Sequence, residues 1–138
     1  MYHVWEDPSV QHKNRLPARS GFYYYESECK ALAYKEEKSA CYELLNGVWD
    51  FKLVETPLLA GEEYAQEDYV PDGSWCGITV PGCWQMQGFG GNPIYSGAPY
   101  LFPVEPPFVA QDNDTGLYRR EFTLPKSMEG KRVVLSFE

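Results

Sequence analysis

The strongest constraint on this fold is the stretch from Pro81 to Thr115. It holds Pro81, Gly82, Gly88, Gly90, Gly91, Pro93, Gly97, Pro99, Pro103, Pro106 and Pro107. Proline removes a backbone donor and glycine weakens regular elements, so no long helix or continuous strand fits there. A long irregular segment inside a compact domain is usually functional or packed by its own side chains. Trp84, Phe89, Tyr95, Tyr100, Phe102 and Phe108 supply such side chains. For Trp84, Tyr95 and Tyr100 two uses stay open: packing within the loop, or a flat apolar face for a sugar ring.

The flanks of this loop alternate with the period of a strand. In Gly47 to Leu53, residues Trp49, Phe51 and Leu53 share one face and Val48, Asp50 and Lys52 the other. This predicts a half-buried strand with Trp49 and Phe51 in the core. Asn46-Gly47 predicts the turn before it. Ile78-Thr79-Val80 predicts a short strand stopped by Pro81-Gly82, and residues 55–76 an acidic connector with a short helix near Ala60 to Gln66. Asn113-Asp114-Thr115-Gly116 predicts a turn. Leu117 to Leu124 then reads as a strand with Tyr118, Arg120, Phe122 and Leu124 on one face, and Lys131 to Glu138 as a last strand.

Residues 1–43 lack periodicity and carry Trp5, Phe22 and the Tyr23-Tyr24-Tyr25 cluster. They read as an extended arm with surface to bury, with a polar loop from Glu26 to Lys38. The division is thus an arm over 1–43 and a β-sandwich portion over 44–138. The chain reaches Glu138 within an apolar strand, whose backbone groups need a neighbour. The expectation is the N-terminal piece of a longer protein.

Twenty acids against 12 bases give a net charge of −8. That balance disfavours nucleic acid and anionic membrane as partners. The start, Met1 to Pro8, has neither a basic nor an apolar leader segment, so a cytoplasmic location is expected. Cys29, Cys41, Cys76 and Cys83 form no C-x-x-C pair and read as free thiols. His3 and His12 have no partner at metal-ligand spacing, and Gly88-Phe89-Gly90-Gly91 lacks the lysine of a phosphate loop. Positive φ is the plainer reason for those glycines. The sequon Asn113-Asp114-Thr115 reads as a turn. The acids sit mostly in solvated runs such as Glu36-Glu37 and Glu62-Glu63, and none marks a catalytic carboxylate pair.

Several segments in order resemble the N-terminal part of long bacterial β-galactosidases of glycoside hydrolase family 2. They are Trp5-Glu6-Asp7-Pro8, Asn14-Arg15-Leu16-Pro17-Ala18-Arg19, Leu44-Leu45-Asn46-Gly47-Val48-Trp49-Asp50-Phe51, Val80-Pro81-Gly82-Cys83-Trp84-Gln85-Met86-Gln87-Gly88-Phe89-Gly90, Pro93-Ile94-Tyr95, and Phe102 to Val109. The Asn-Arg-Leu-Pro-Ala-Arg arm resembles the β-galactosidase branch, whereas shorter β-glucuronidases and β-mannosidases resemble only the later part.

The resemblance implies an all-β fold, a partial jelly-roll sandwich called the sugar-binding domain, preceded by the arm. It implies a retaining β-galactosidase whose two catalytic Glu residues stand in a downstream (β/α)8 barrel, outside this chain. The chain alone would therefore be inactive and hold no catalytic residue. The loop Pro93 to Tyr100 is implied to reach the galactoside, with Gly97, Ala98 and Tyr100 as substrate-binding positions. Gly97 stands where the family pattern has a sugar-contacting Asn.

Asp7 loosely matches a structural Mg²⁺ motif. Otherwise Mg²⁺, with Na⁺ as a possible second ion, is implied for the full-length parent and no cofactor for this piece. The implied partners are a β-galactoside, the rest of the parent chain and sister subunits of a homo-oligomer. Trp5, Phe22 and Tyr23 of the arm are expected to carry association. The alternatives are a non-catalytic carbohydrate-binding or assembly module, and another family 2 activity such as β-glucuronidase.

Overall fold

The computed structural model describes residues 3–93 and 104–137. Three strands form an antiparallel sheet in the order β2-β1-β3: β1 is Gly47–Val54, β2 is Cys76–Val80 and β3 is Thr115–Arg119. The alternation in β1 sets which residues share a face. Phe51 lies opposite Cys76 on β2 and Tyr118 on β3, and Trp49 opposite Ile78. One face therefore gathers Trp49, Phe51, Leu53, Ile78, Gly116 and Tyr118. The other carries Asp50, Lys52, Val54, Leu117 and Arg119, because Asp50 pairs with Arg119 and Lys52 with Leu117.

Phe51 is the centre of the first face. It has no solvent exposure, and Ile78 beside it has 1%. The rings of Phe89, Tyr118 and Trp84 stand 4.8, 4.9 and 6.0 Å from the Phe51 ring, the first two edge-on. Burying such a side chain stabilises the fold by about 1.5–3 kcal/mol, and each well-placed ring pair adds about 0.5–1.5 kcal/mol. Arg120 follows the same alternation and places its guanidinium carbon 5.9 Å from the Trp49 ring. Gly116 is required on this face by close approach. A Cβ there would lie 2.6 Å from Trp84 Cζ3 and 2.8 Å from Phe51 Cε2.

The chain divides into two compact units. The first comprises Met1–Leu16 and Gly47–Arg120; the second comprises Pro17–Asn46 and Glu121–Glu138. The second contains the helix α1, Glu28–Leu32, capped by Ser27, whose hydroxyl accepts from Lys30 N. The Glu26 carboxylate accepts from Ala40 N at 2.8 Å and Lys30 Nζ at 3.1 Å, tying the helix start to the following turn. Ser39 is buried and donates its hydroxyl to the Tyr24 carbonyl. Met128 is buried in this unit too.

Several sequence expectations meet this structure. The turn expected at Asn46-Gly47 is not formed: Gly47 is the first residue of β1, which it enters at φ 125°. The short helix of the connector is a 3-10 turn at Glu62–Ala65. The polar loop expected from Glu26 to Lys38 contains α1 and a 3-10 turn at Glu36–Lys38, because the Ser27 cap and the Glu26–Lys30 pair support a local helix. The strand expected over 117–124 begins earlier and ends at Arg119. Residues 131–137 are not a strand. Alternation gives a segment an apolar face, but a ladder also needs a partner strand, and none pairs with them among the described residues. Val133, Leu135 and Phe137 are accordingly exposed. Cys29, Cys41, Cys76 and Cys83 are free thiols.

Gly116→Ala is expected to destabilise this fold by about 1–3 kcal/mol, because two rings must give way. Gly73→Ala, with nothing within 4 Å of the added carbon, is the matched control and should change little. Urea unfolding of both variants followed by tryptophan fluorescence checks the pair. Equal midpoints would refute the crowding.

Candidate functional site

The candidate site grows from the end of β2. Pro81 ends the strand, and a 3-10 turn at Trp84–Gln87 follows, closed by Gly88 in the left-handed region at φ 87°. Phe89 N donates to the Trp84 carbonyl at 3.1 Å. Trp84 and Phe89 both turn inward onto Phe51, so of the two uses open to Trp84, packing is realised. Its indole Nε1 is buried and has no hydrogen-bond partner among the described residues. Gly90, at φ 68°, brings the backbone beside that indole: a Cβ there would lie 3.7 Å from Trp84 Nε1 and 3.3 Å from Asp114 Oδ2. The positive φ expected of the Gly88–Gly91 run holds at Gly88 and Gly90.

The Gln87 side chain closes the root of this loop. Its Oε1 accepts from Thr79 N at 2.8 Å and its Nε2 donates to the Thr79 carbonyl at 2.9 Å. A carboxamide presents the same donor and acceptor pair as a peptide, so Gln87 pairs with edge strand β2 as a neighbouring strand would.

Of the substrate-binding positions expected from the sequence, Gly97, Ala98 and Tyr100 lie outside the described residues, as does Tyr95. Asp7 is exposed and follows the 3-10 turn Val4–Glu6. Its Oδ1 accepts from Ser9 N at 2.9 Å and Ser9 Oγ at 2.6 Å. These bonds, the hydroxyl's first, hold the carboxyl below its ordinary pKa. Among the described residues no group of three or more His, Cys, Asp or Glu is placed to hold a metal ion. The described residues thus offer a cation Asp7 without companions, and no chemical step is routed through one.

The three aromatics expected to carry association stand at the surface. Trp5, Phe22 and Tyr23 are each about half exposed. Trp5 stacks on His3 at 4.5 Å, Phe22 meets Tyr24 edge-on, and Tyr23 meets Tyr42 edge-on.

A second aromatic group was not anticipated from the sequence. Tyr64, Tyr69 and Trp75 of the connector form a triangle with ring centroids 5.3–6.0 Å apart. Trp75 Nε1 donates to the Tyr69 hydroxyl at 2.9 Å. The triangle lies against the face of β1 and β3 opposite Phe51. Lys52 Nζ sits 5.1 Å from the Tyr64 ring, and Arg119 lies 5.8 Å from the Tyr69 ring. Arg119 Nη1 also donates to the carbonyls of Tyr64 and Gln66. The available signal was the parity of Lys52 and Arg119, two cations on one sheet face beneath a connector rich in Tyr and Trp.

On the first sheet face burial raises the Tyr118 hydroxyl above its ordinary pKa, and nearby Cys83 adds to the effect. No helix among the described residues is long and apolar enough to cross a membrane.

The sequence that builds this sheet and its loop root matches a known family. The model of the sugar-binding domain of glycosyl hydrolases family 2 covers residues 42–138. The chain belongs to this family. Among its relatives, a β-galactosidase of Psychromonas ingrahamii is 36% identical over 134 residues, 97% of this chain and 13% of that protein. A β-galactosidase of Pseudoalteromonas haloplanktis is 39% identical over 139 aligned positions, again 97% of this chain and 13% of the relative. One from Vibrio cholerae reaches 43% over 94 residues, 68% of this chain and 9% of that protein. The chain thus spans 13% of the length of the first two.

The Asp7 turn yields a direct test. Ser9→Ala removes the larger of the two bonds and should raise the Asp7 carboxyl pKa toward its ordinary value, read by carbon-detected NMR titration. The folded carboxyl sits below its ordinary value. The turn's stabilisation is therefore present above that value and fades as pH falls through the lowered one. An unmoved titration would refute the assignment.

Proposed function

We propose that this chain is the sugar-binding-domain portion of a retaining β-galactosidase, which releases terminal β-D-galactose from β-galactosides. One observation carries the reading. The β-galactosidase matches cover 97% of the chain and so extend upstream of residue 42, where the family domain begins. That upstream segment holds Asn14 to Arg19, which resembles the β-galactosidase branch. In this reading the domain is a partial jelly-roll sandwich preceded by an extended arm over 1–43. It is completed by the rest of the parent chain.

The chemistry belongs to two Glu residues of the parent's barrel, one as acid/base and one as nucleophile. This chain's part is binding: the loop through Gly97, Ala98 and Tyr100 lines the galactose site. Mg²⁺ and Na⁺ would be held by carboxylates elsewhere in the parent. Trp5, Phe22 and Tyr23, exposed here, would dock on the rest of the parent or on a sister subunit, as aromatic anchors do. A cytoplasmic location is proposed with the same reading.

Two experiments test this. The full-length protein should hydrolyse nitrophenyl β-galactoside and release β-galactose first, and the purified 138-residue chain should turn over none. Turnover of the β-glucuronide instead, or turnover by the chain alone, would overturn the reading. In the full-length enzyme Gly97→Asn should lower KM by about two- to tenfold, since one restored hydrogen bond is worth about 0.5–1.5 kcal/mol. An unchanged KM in a folded variant would remove Gly97 from the site.

A further inference from the structure

We infer that Gln87 is a positioning residue for the sugar-facing loop: its paired hydrogen bonds to Thr79 fix the register in which that loop leaves the sheet. The inference rests on the reading above for what the loop does. The clamp itself rests on geometry.

Three features separate Gln87 from ordinary packing. First, both atoms of its carboxamide are used on one residue, Thr79 N and Thr79 O, at 2.8 and 2.9 Å. A single bond leaves a side chain free to swing, whereas two parallel bonds fix its plane. Second, the clamp is solvent-exposed. Exposed hydrogen bonds exchange readily with water and add little net stability, so its main effect is on geometry. The burial that stabilises this turn comes from Trp84 and Phe89 on Phe51 instead. Third, the space for the clamp is kept by Gly82. A Cβ at Gly82 would lie 2.6 Å from Gln87 Nε2 and 2.9 Å from the Thr79 carbonyl oxygen.

The aromatic pins and the clamp act on different directions. Phe51 holds the turn against the sheet face. The Thr79 pair holds it along the β2 edge, with directional bonds that the non-directional ring contacts do not supply. Gly88, the next residue, begins the segment that runs in sequence through Pro93 to Gly97, Ala98 and Tyr100. An error along the edge would thus displace the start of this segment, residues 88–93, and in the proposed reading its effect falls on sugar binding and not on the catalytic Glu pair of the barrel. The signature is therefore on substrate affinity rather than on the chemical step.

The test uses the full-length enzyme with three variants: Gln87→Met, similar in length and without the clamp; Gln87→Glu, which keeps the acceptor for Thr79 N; and Gly82→Ala, which crowds the clamp. The expected result is faster amide exchange at Thr79 in all three, least in Gln87→Glu. KM for nitrophenyl galactoside should rise about three- to tenfold in Gln87→Met and Gly82→Ala, with kcat within about twofold. Thermal unfolding should stay nearly unmoved in Gln87→Met and fall in Gly82→Ala, whose added Cβ also meets the Thr79 carbonyl oxygen at 2.9 Å. Gln87→Glu should lie between those variants and wild type. Two results would overturn the inference: Thr79 exchange unchanged in Gln87→Met, or kcat falling together with the unfolding temperature while KM stays constant. Should the wild-type enzyme turn over no galactoside, the proposed function fails on its own. Thr79 exchange and protease cleavage within 88–93 then decide the clamp: both must increase in Gln87→Met, and no change in either overturns it.

Discussion

The enclosure of Phe51 is the contact on which the first unit of this chain depends. One side chain of the central strand is covered by Tyr118 from one neighbouring strand and by Trp84 and Phe89 from the turn that follows the other. Sheet pairing fixes Tyr118, since it stands opposite Phe51 in register. The turn is different: no backbone ladder holds it, and its attachment comes from the two rings it delivers and from the Gln87 side-chain pair with Thr79. Without that hydrophobic contact the Gly- and Pro-rich segment would lack a fixed origin. The glycine at 116 belongs to the same arrangement, because a side chain there would occupy the space of two of the rings.

The two faces of the central strand are covered by different means. Phe51 faces a group of rings that cover it while Tyr118 stays exposed at its outer side. Lys52, the next residue, faces the connector's Tyr64 through its ammonium, and Arg119 across the sheet holds the connector by its backbone carbonyls. Period-two alternation thus sorts a single strand into an aromatic face and a mixed face of Asp50, Lys52 and the buried Val54, and each meets a different loop. The loop carrying the proposed sugar contacts leaves from the apolar side, whose rings define its origin.

How much of this was legible in the sequence follows from how local each cause is. The alternation of Gly47 to Leu53 placed Trp49 and Phe51 on one face, and the loop glycines at 88 and 90 were readable because positive φ selects glycine. The last strand was misread, because alternation in Lys131 to Phe137 describes a face and does not supply a partner. The helix at Glu28–Leu32 was missed, since five residues give too short a window for a helical period and its support is the Ser27 cap and Glu26. The Gln87 clamp left no signal, and the Tyr64–Tyr69–Trp75 triangle only the indirect one of Lys52 and Arg119 sharing a face, for another reason. Both join residues whose proximity is set by how loops fold back, and side-chain pairs across loops leave no periodic trace. The motif from Val80 to Gly90 was legible as a resemblance before its geometry was, and the geometry gives its Trp and Gln distinct tasks.

The attachment of the connector has a consequence for solution conditions. The chain carries eight more negative than positive charges, and Glu62, Glu63, Glu67 and Asp68 of the connector are exposed. An acidic segment fastened by ion pairs would loosen in brine and in acid. Here the described ties run from Arg119 to neutral carbonyls and from two cations to aromatic rings. Neutral acceptors do not titrate, and short-range contacts to them are screened less than separated surface charges. Asp72 of the connector adds a charge–charge attraction to Lys52. That contribution weakens as salt screens it, whereas the carbonyl and ring contacts stay, so brine loosens the connector's seat without releasing it.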